Sequence, residues 1–276
     1  MQLPDVQSMR VNSIKINRVG VSGVDFPIYV QTKKGDTVLC YATVNMYVSL
    51  RKNVKGINMS RLPRTLMKYR YTSFNKQVLR LFLNQLKQHN DTSDAYAEIN
   101  FKYFIDKEAP VTKEKSVAAY DCAFIGHLND KGFTFHLRTK VVGTSNCPCS
   151  KSISRFGAHG QRSIVTVTVE TYDDKFMWLE DLIKLIEDQF SCEIYPVLKR
   201  PDEKFVTEKA YQNPKFVEDI ARDVALALQD TGIVRWYKIK VENEESIHHH
   251  NAVSYIARKR KGSRWVDAGS SLRKIS

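Results

Sequence analysis

Cysteine is scarce and odd in number, five in 276 residues, which argues against a disulfide framework and for reduced thiols in a reducing compartment. No apolar run approaches the length of a membrane span, and the opening MQLPDVQSMR lacks the charged-then-apolar pattern of a secretory leader. A cytoplasmic protein without a membrane partner is therefore expected. A second C-x-x-C is missing, so a zinc ribbon is excluded, and no glycine-rich fingerprint that would cradle a dinucleotide is present.

What is present is a 42% hydrophobic chain, enough for one large core or two ordinary ones, with a formal net charge of +13 that suits a phosphate-bearing partner. The densest basic cluster, ARKRKGSR at 257–264, sits in a Gly/Ser-containing tail that reads as a poorly structured, solvated terminus rather than a nucleic-acid arm.

Apolar alternation predicts strands over 12–34, 38–50, 95–106 and 114–126, and Leu79, Phe82, Leu83 and Leu86 recur at helical spacing after a shorter helix following Pro63. The order repeats in the second half. FTFHLRTKV and SIVTVTVETY alternate as strands, and Leu179, Leu182, Ile183 and Ile186 form a stripe. Asn213-Pro214 is expected to cap and open a helix carrying Val217, Ile220, Ala221 and Val224, and RWYKIKVEN and NAVSYIA read as strands. The expectation is an α+β protein of two β-β-α-α-β-β units, 1–128 and 129–256, followed by a basic tail over 257–276. Each unit would be a four-stranded antiparallel sheet whose free edges pair with another copy, building barrels in an oligomer.

Cys40, Cys122 and Cys192 read as buried small hydrophobes, and His89, His127 and His136 as surface or satisfied core residues. CPCSKSISRFGAH at 147–159 is different. Pro148 biases Cys147 toward extended backbone, which would send Cys147 and Cys149 to one side, and a disulfide across one residue would be strained. A thiolate ligand or nucleophile is the better reading. His159, between glycines 157 and 160, is placed to approach it. ENEESIHHHNA at 242–252 puts three histidines in a turn between strands. Extended, His248 and His250 would share a face, with Glu245 to fix their tautomers. Asp202 and Glu203 open a helix after Pro201, where a carboxylate is ordinarily a cap, and Glu218 lies off its helix's apolar stripe.

Taken together, LPDVQS, GVSGVDFPI, KGINMSRL, CPCSKSIS with GAHGQRS, LKRPDEK, AYQNPKFVED and ENEESIHHHNAV resemble the prokaryotic type IB GTP cyclohydrolases, from the N-terminus to about residue 256. The resemblance implies the tunnelling fold and a homotetramer with active sites between subunits. It also implies hydrolysis of GTP to 7,8-dihydroneopterin triphosphate and formate. By the same resemblance Cys147, Cys149, His159 and Glu203 hold a divalent cation, Zn²⁺, Mn²⁺ or Fe²⁺. His248 and His250 move protons with Glu245 orienting them, and Glu218 anchors the guanine. Lys55, Ser60, Arg61, Lys199 and Arg200 are the candidates for the triphosphate, and Asn58 stands where the family pattern has histidine. The competing readings are a nitrile reductase acting on a deazaguanine and a nucleic-acid-binding module, neither of which uses the histidine turn together with Glu203 and His159.

Overall fold

The computed structural model describes residues 9, 11 and 14–269, so the LPDVQS motif, residues 12–13 of the first expected strand and residues 270–276 of the tail lie outside the described residues. The elements in order are β1 (Ile16–Gln31), β2 (Thr37–Leu50), α1 (Arg61–Met67), β3 (Ser73–Phe74), α2 (Lys76–Asn90), β4 (Ala95–Glu108) and β5 (Lys115–Asn129). They continue as β6 (Gly132–Asn146), α3 (Pro148–Ile153), β7 (Gly160–Thr171), α4 (Leu179–Glu187), β8 (Cys192–Glu193), α5 (Arg200–Gln212) and α6 (Val217–Asp230). The chain ends in β9 (Val234–Glu244), β10 (Ala252–Lys261) and β11 (Arg264–Asp267).

The strands do not form the expected tunnelling-fold layout of two separate four-stranded sheets. They make one eleven-stranded, mostly antiparallel sheet in the order β11-β10-β9-β7-β6-β5-β4-β2-β1-β3, with β8 on β6. The reason lies at the junction of the halves. Only Asp130 and Lys131 separate β5 from β6, a connection that joins neighbouring antiparallel strands, so the edge each half would have offered to another copy is consumed within the chain. The outermost strands, β3 and β11, are two and four residues long, which leaves little backbone for edge-to-edge pairing.

The chain divides into two compact units, Met1–Lys102 with Cys122–Leu137, and Tyr103–Asp121 with Arg138–Ser276. In the first, Val44, Met46 and Val48 of β2 are buried together with the stripe Leu79, Phe82, Leu83 and Leu86 of α2. Asn75 caps that helix, accepting from the Gln77 and Val78 amides. In the second, Val165, Val167 and Val169 of β7 and Tyr237, Ile239 and Val241 of β9 are buried, as are Ile220, Ala221, Val224 and Leu228 of α6. Gly143 is required here, because a Cβ would lie 2.2 Å from the Phe190 ring.

Two local expectations are also corrected. Asn213 does not cap a new helix. It ends α5 and donates from its amide to the Phe190 carbonyl, while α6 starts at Val217 with the Asp219 carboxylate accepting from the Phe216 amide. The basic tail is not unstructured through residue 269: β10 runs to Lys261 and turns at Gly262 into β11. Cys40, Cys122 and Cys192 are buried as free thiols, and burial pushes the Cys40 thiol up to about 11. No helix among the described residues is long and apolar enough to cross a membrane.

Candidate active site

The site residues of the second unit gather where β6 ends, β7 begins and β9 ends. Pro148 takes the first position of α3 with Cys147 as its extended N-cap, so the helix begins between the two cysteines. The expectation that both thiols project to one side of an extended strand therefore fails: Cys147 is half-buried at the helix start and Cys149 is exposed on the helix. The Cys147 amide donates to the His159 carbonyl at 3.1 Å, and the His159 amide donates to Ser150 Oγ at 3.2 Å, which closes the loop 147–159 on itself.

The His159 ring is 15% exposed, with Nδ1 3.2 Å from Ser246 Oγ and 4.0 Å from Glu245 Oε2. That holds one ring nitrogen and leaves Nε2 as the other, which is how an imidazole is ordinarily oriented for a ligand. Glu245 itself sits over a buried polar network. With its amide oriented to satisfy its neighbours, Gln161 donates to both Glu245 oxygens at 2.9 Å and accepts from Asn243 Nδ2 at 2.7 Å and Ser145 Oγ at 3.3 Å. Ser163 Oγ donates to Asn243 Oδ1 at 2.5 Å and lies 2.9 Å from Ser145 Oγ. Ser145, Ser163 and Asn243 are fully buried, so these bonds replace water and fix the carboxylate's direction. None of these four supporting residues stands out in the sequence. The register that pairs Ser163 with Asn243 across β7 and β9 is what assembles them.

Gln161→Leu is expected to lower turnover about 10- to 100-fold, the usual cost of losing a group that orients a site carboxylate. Steady-state rates beside a thermal melt check this. An unchanged rate would show that the network serves folding alone.

The histidine turn 245–251 is a loop between β9 and β10 in which the His248 and His250 rings stack, centroids 5.1 Å apart and 13° from parallel, while all three histidines are exposed. Glu245 is thus placed with Gln161 and His159. Glu218 is exposed in the first turn of α6, off the buried stripe. Glu203 is exposed in the first turn of α5. Its neighbour Asp202 is fully buried, accepting from the Val111 and Thr112 amides, from Thr112 Oγ1 and from the Lys199 amide. Those bonds outweigh burial and hold its carboxyl well below the usual range.

Of the cations, Lys199 pairs with Glu114, which raises its ammonium's pKa, and Arg200 is exposed beside it. Lys55, Ser60 and Arg61 belong to the other compact unit. There Ser60 Oγ donates to Asn58 Oδ1 at 2.7 Å and Arg61 Nη1 to the His89 carbonyl at 2.9 Å, and Lys55 is exposed.

Of the four residues expected to hold a cation, Cys147 and His159 are joined through the backbone, and the His159 ring is held at Nδ1 by Ser246. Among the described residues, however, no three His, Cys, Asp or Glu side chains are gathered closely enough to hold a metal.

The family model described as type I GTP cyclohydrolase folE2 matches residues 3–254. The chain belongs to that family. It is 44% identical over 260 residues to the GTP cyclohydrolase FolE2 of Citrifermentans bemidjiense, covering 94% of this chain and 96% of that one. It is 42% identical over 253 residues to that of Thermosipho africanus, covering 91% and 96%. Among solved structures it resembles the uricase of Arthrobacter globiformis at a TM-score of 0.64 and 9% identity, covering 96% of this chain and all of the other. The uricase of Bacillus fastidious matches at 0.56 and 8%, with 96% of each chain covered. At such identity the likeness concerns the fold alone: a single sheet spanning the chain, as against the two separate units expected from the sequence.

Proposed function

We propose that the chain is a GTP cyclohydrolase I, converting GTP and water into 7,8-dihydroneopterin triphosphate and formate. The observation that carries the reading is the junction of His159, Glu245 and the histidine turn within a chain that matches the family over 3–254. The chain's own residues divide the work by chemistry. Glu218, exposed at a helix start, offers two carboxylate oxygens to the guanine ring N–H and exocyclic amine, an arrangement adenine does not satisfy. The neighbouring imidazoles of His248 and His250 each carry, when neutral, one N–H donor and one acceptor lone pair, matching the acid and base that purine ring opening and formate loss require. Gln161, itself held by Asn243, keeps Glu245 beside His159.

Cys147, Cys149 and His159, with Glu203 from α5, are the residues that would hold a divalent cation. The mixed S, N and O donors admit Zn²⁺, Mn²⁺ or Fe²⁺. Such an ion would supply Lewis acidity toward a water molecule, lowering its pKa so that hydroxide is available as the nucleophile for the purine C8. Glu203 and Cys149 are exposed and rotate at small cost. A homotetramer that completes the site between copies is part of the proposal. It is supported by Ile153, 85% exposed at the end of α3, by Phe156, 91% exposed on the loop leading to His159, and by exposed Ile247 in the histidine turn.

The test is pterin fluorescence and formate release from GTP, before and after EDTA. Activity lost with EDTA and restored by one of the three ions is expected. A full rate in EDTA would overturn the cation assignment, and no product with any ion would overturn the activity. Glu218→Ala should raise KM for GTP about 10- to 100-fold, the worth of a charged bidentate contact.

A further inference from the structure

The C-terminal hairpin divides its charges between two faces. On the face shared with buried Tyr237, Arg258 lies 3.4 Å from Asp267 and Arg260 stacks 5.6 Å from the Trp265 ring, which itself packs on Tyr237. These cations are occupied. Strand alternation sends Tyr255, Lys259 and Lys261 to the opposite face, and register places Lys240, Trp236 and Arg264 across from them in turn, with Lys238 between Lys240 and Trp236. Among the described residues Lys238, Lys259, Lys261 and Arg264 have no acidic partner. Of the three acids of that face, Glu170 and Glu242 are engaged by Arg235 and Lys240, and Glu244 lies at the far end of β9, across from Arg162. Tyr255 is 54% exposed.

We propose that this face of β9, β10 and β11 binds single-stranded nucleic acid. Lys259 and Lys261 stand one two-residue step, about 7 Å, apart on β10, with Lys238 on β9 and Arg264 on β11 on the same face, a cluster suited to neighbouring phosphates. The exposed Tyr255 ring beside them offers a stacking surface to an unpaired base, which a duplex or a lipid headgroup does not present. Such binding also accounts for why the most basic segment of a +13 chain is folded into the sheet.

The test uses the full-length protein and a fluorescein-labelled oligouridine of about 20 nucleotides, followed by anisotropy against salt. Lys259→Ala/Lys261→Ala/Arg264→Ala should weaken binding at least 10-fold at low salt and reduce the log–log salt slope by about 2, three phosphate contacts at about 0.7 each. Tyr255→Ala should weaken binding about 5-fold or more at unchanged slope. Arg258→Ala/Arg260→Ala, on the occupied face, should stay within about 2-fold. Circular dichroism melts of each variant ensure that only folded protein is compared. No binding by the parent, equal loss in the arginine pair, or binding of phosphatidylserine vesicles without binding of oligouridine would each overturn the proposal.

Discussion

His159→Ala should cut formate release from GTP by more than about 100-fold while leaving the melting temperature nearly unchanged. Removing groups that merely orient a ligating imidazole costs about 10- to 100-fold, so loss of the imidazole itself must exceed that. The ring is held through Nδ1 at Ser246 and Glu245, and its own backbone bonds to Cys147 and Ser150 survive the substitution, so the loop keeps its path. A loss under 10-fold, measured at saturating GTP, would place the reaction elsewhere.

The largest effect on stability is expected at Lys107. Its side chain is 9% exposed, with Nζ 2.7 Å from both Glu187 Oε1 and Glu193 Oε2, and Tyr120 donates to the same Glu187 oxygen at 2.6 Å. Lys107→Ala leaves two carboxylates facing each other in low dielectric without their cation, a change that costs about 3–5 kcal/mol. At about 2–4 °C per kcal/mol for a chain of this size, the melting temperature should fall roughly 6 to 20 °C. The pH dependence follows from the two acids. Burial alone would raise the Glu193 carboxyl, but Lys107's hydrogen bond and charge outweigh it and hold it at about 2. Its contribution is therefore present above the ordinary carboxylate value and lost as pH falls toward 2. Burial raises Glu187 despite Lys107, so its ionisation opposes folding as pH rises. Without Lys107 both carboxyls are raised, and the variant should melt lower at pH 7.5 than at pH 5. Melts at the two pH values check this, and equal values would show that the acids are solvated.

Much of the local structure was legible because it depends on neighbours in sequence. Leu79, Phe82, Leu83 and Leu86 make a stripe whatever they pack against, and alternation located β2, β4 and β5 to within about three residues of where they form. Glu218 was readable as exposed from the same periodicity. The supporting network was not. Ser163 and Asn243 look like ordinary polar positions of alternating strands, and they become a buried pair only when β7 and β9 take their register, 80 residues apart. The Asn213-Pro214 pair misled because a proline that opens helices elsewhere follows, here, the end of one.

What the sequence by itself determined is the longer strands and helices and the family, since periodicity and motif order are properties of short stretches; the short β3, β8, β11 and α3 carry no such period. The tertiary structure decided how the strands share edges, joining both halves into one sheet through two residues between β5 and β6. It also decided the fate of the basic tail. Charge density in a terminal stretch predicts solvation, but hydrogen bonding of β10 to β9 and the packing of Trp265 on Tyr237 outweigh that tendency and turn the segment into an ordered strand pair. Backbone pairing and ring burial act between residues distant in sequence, and only the folded chain brings them together.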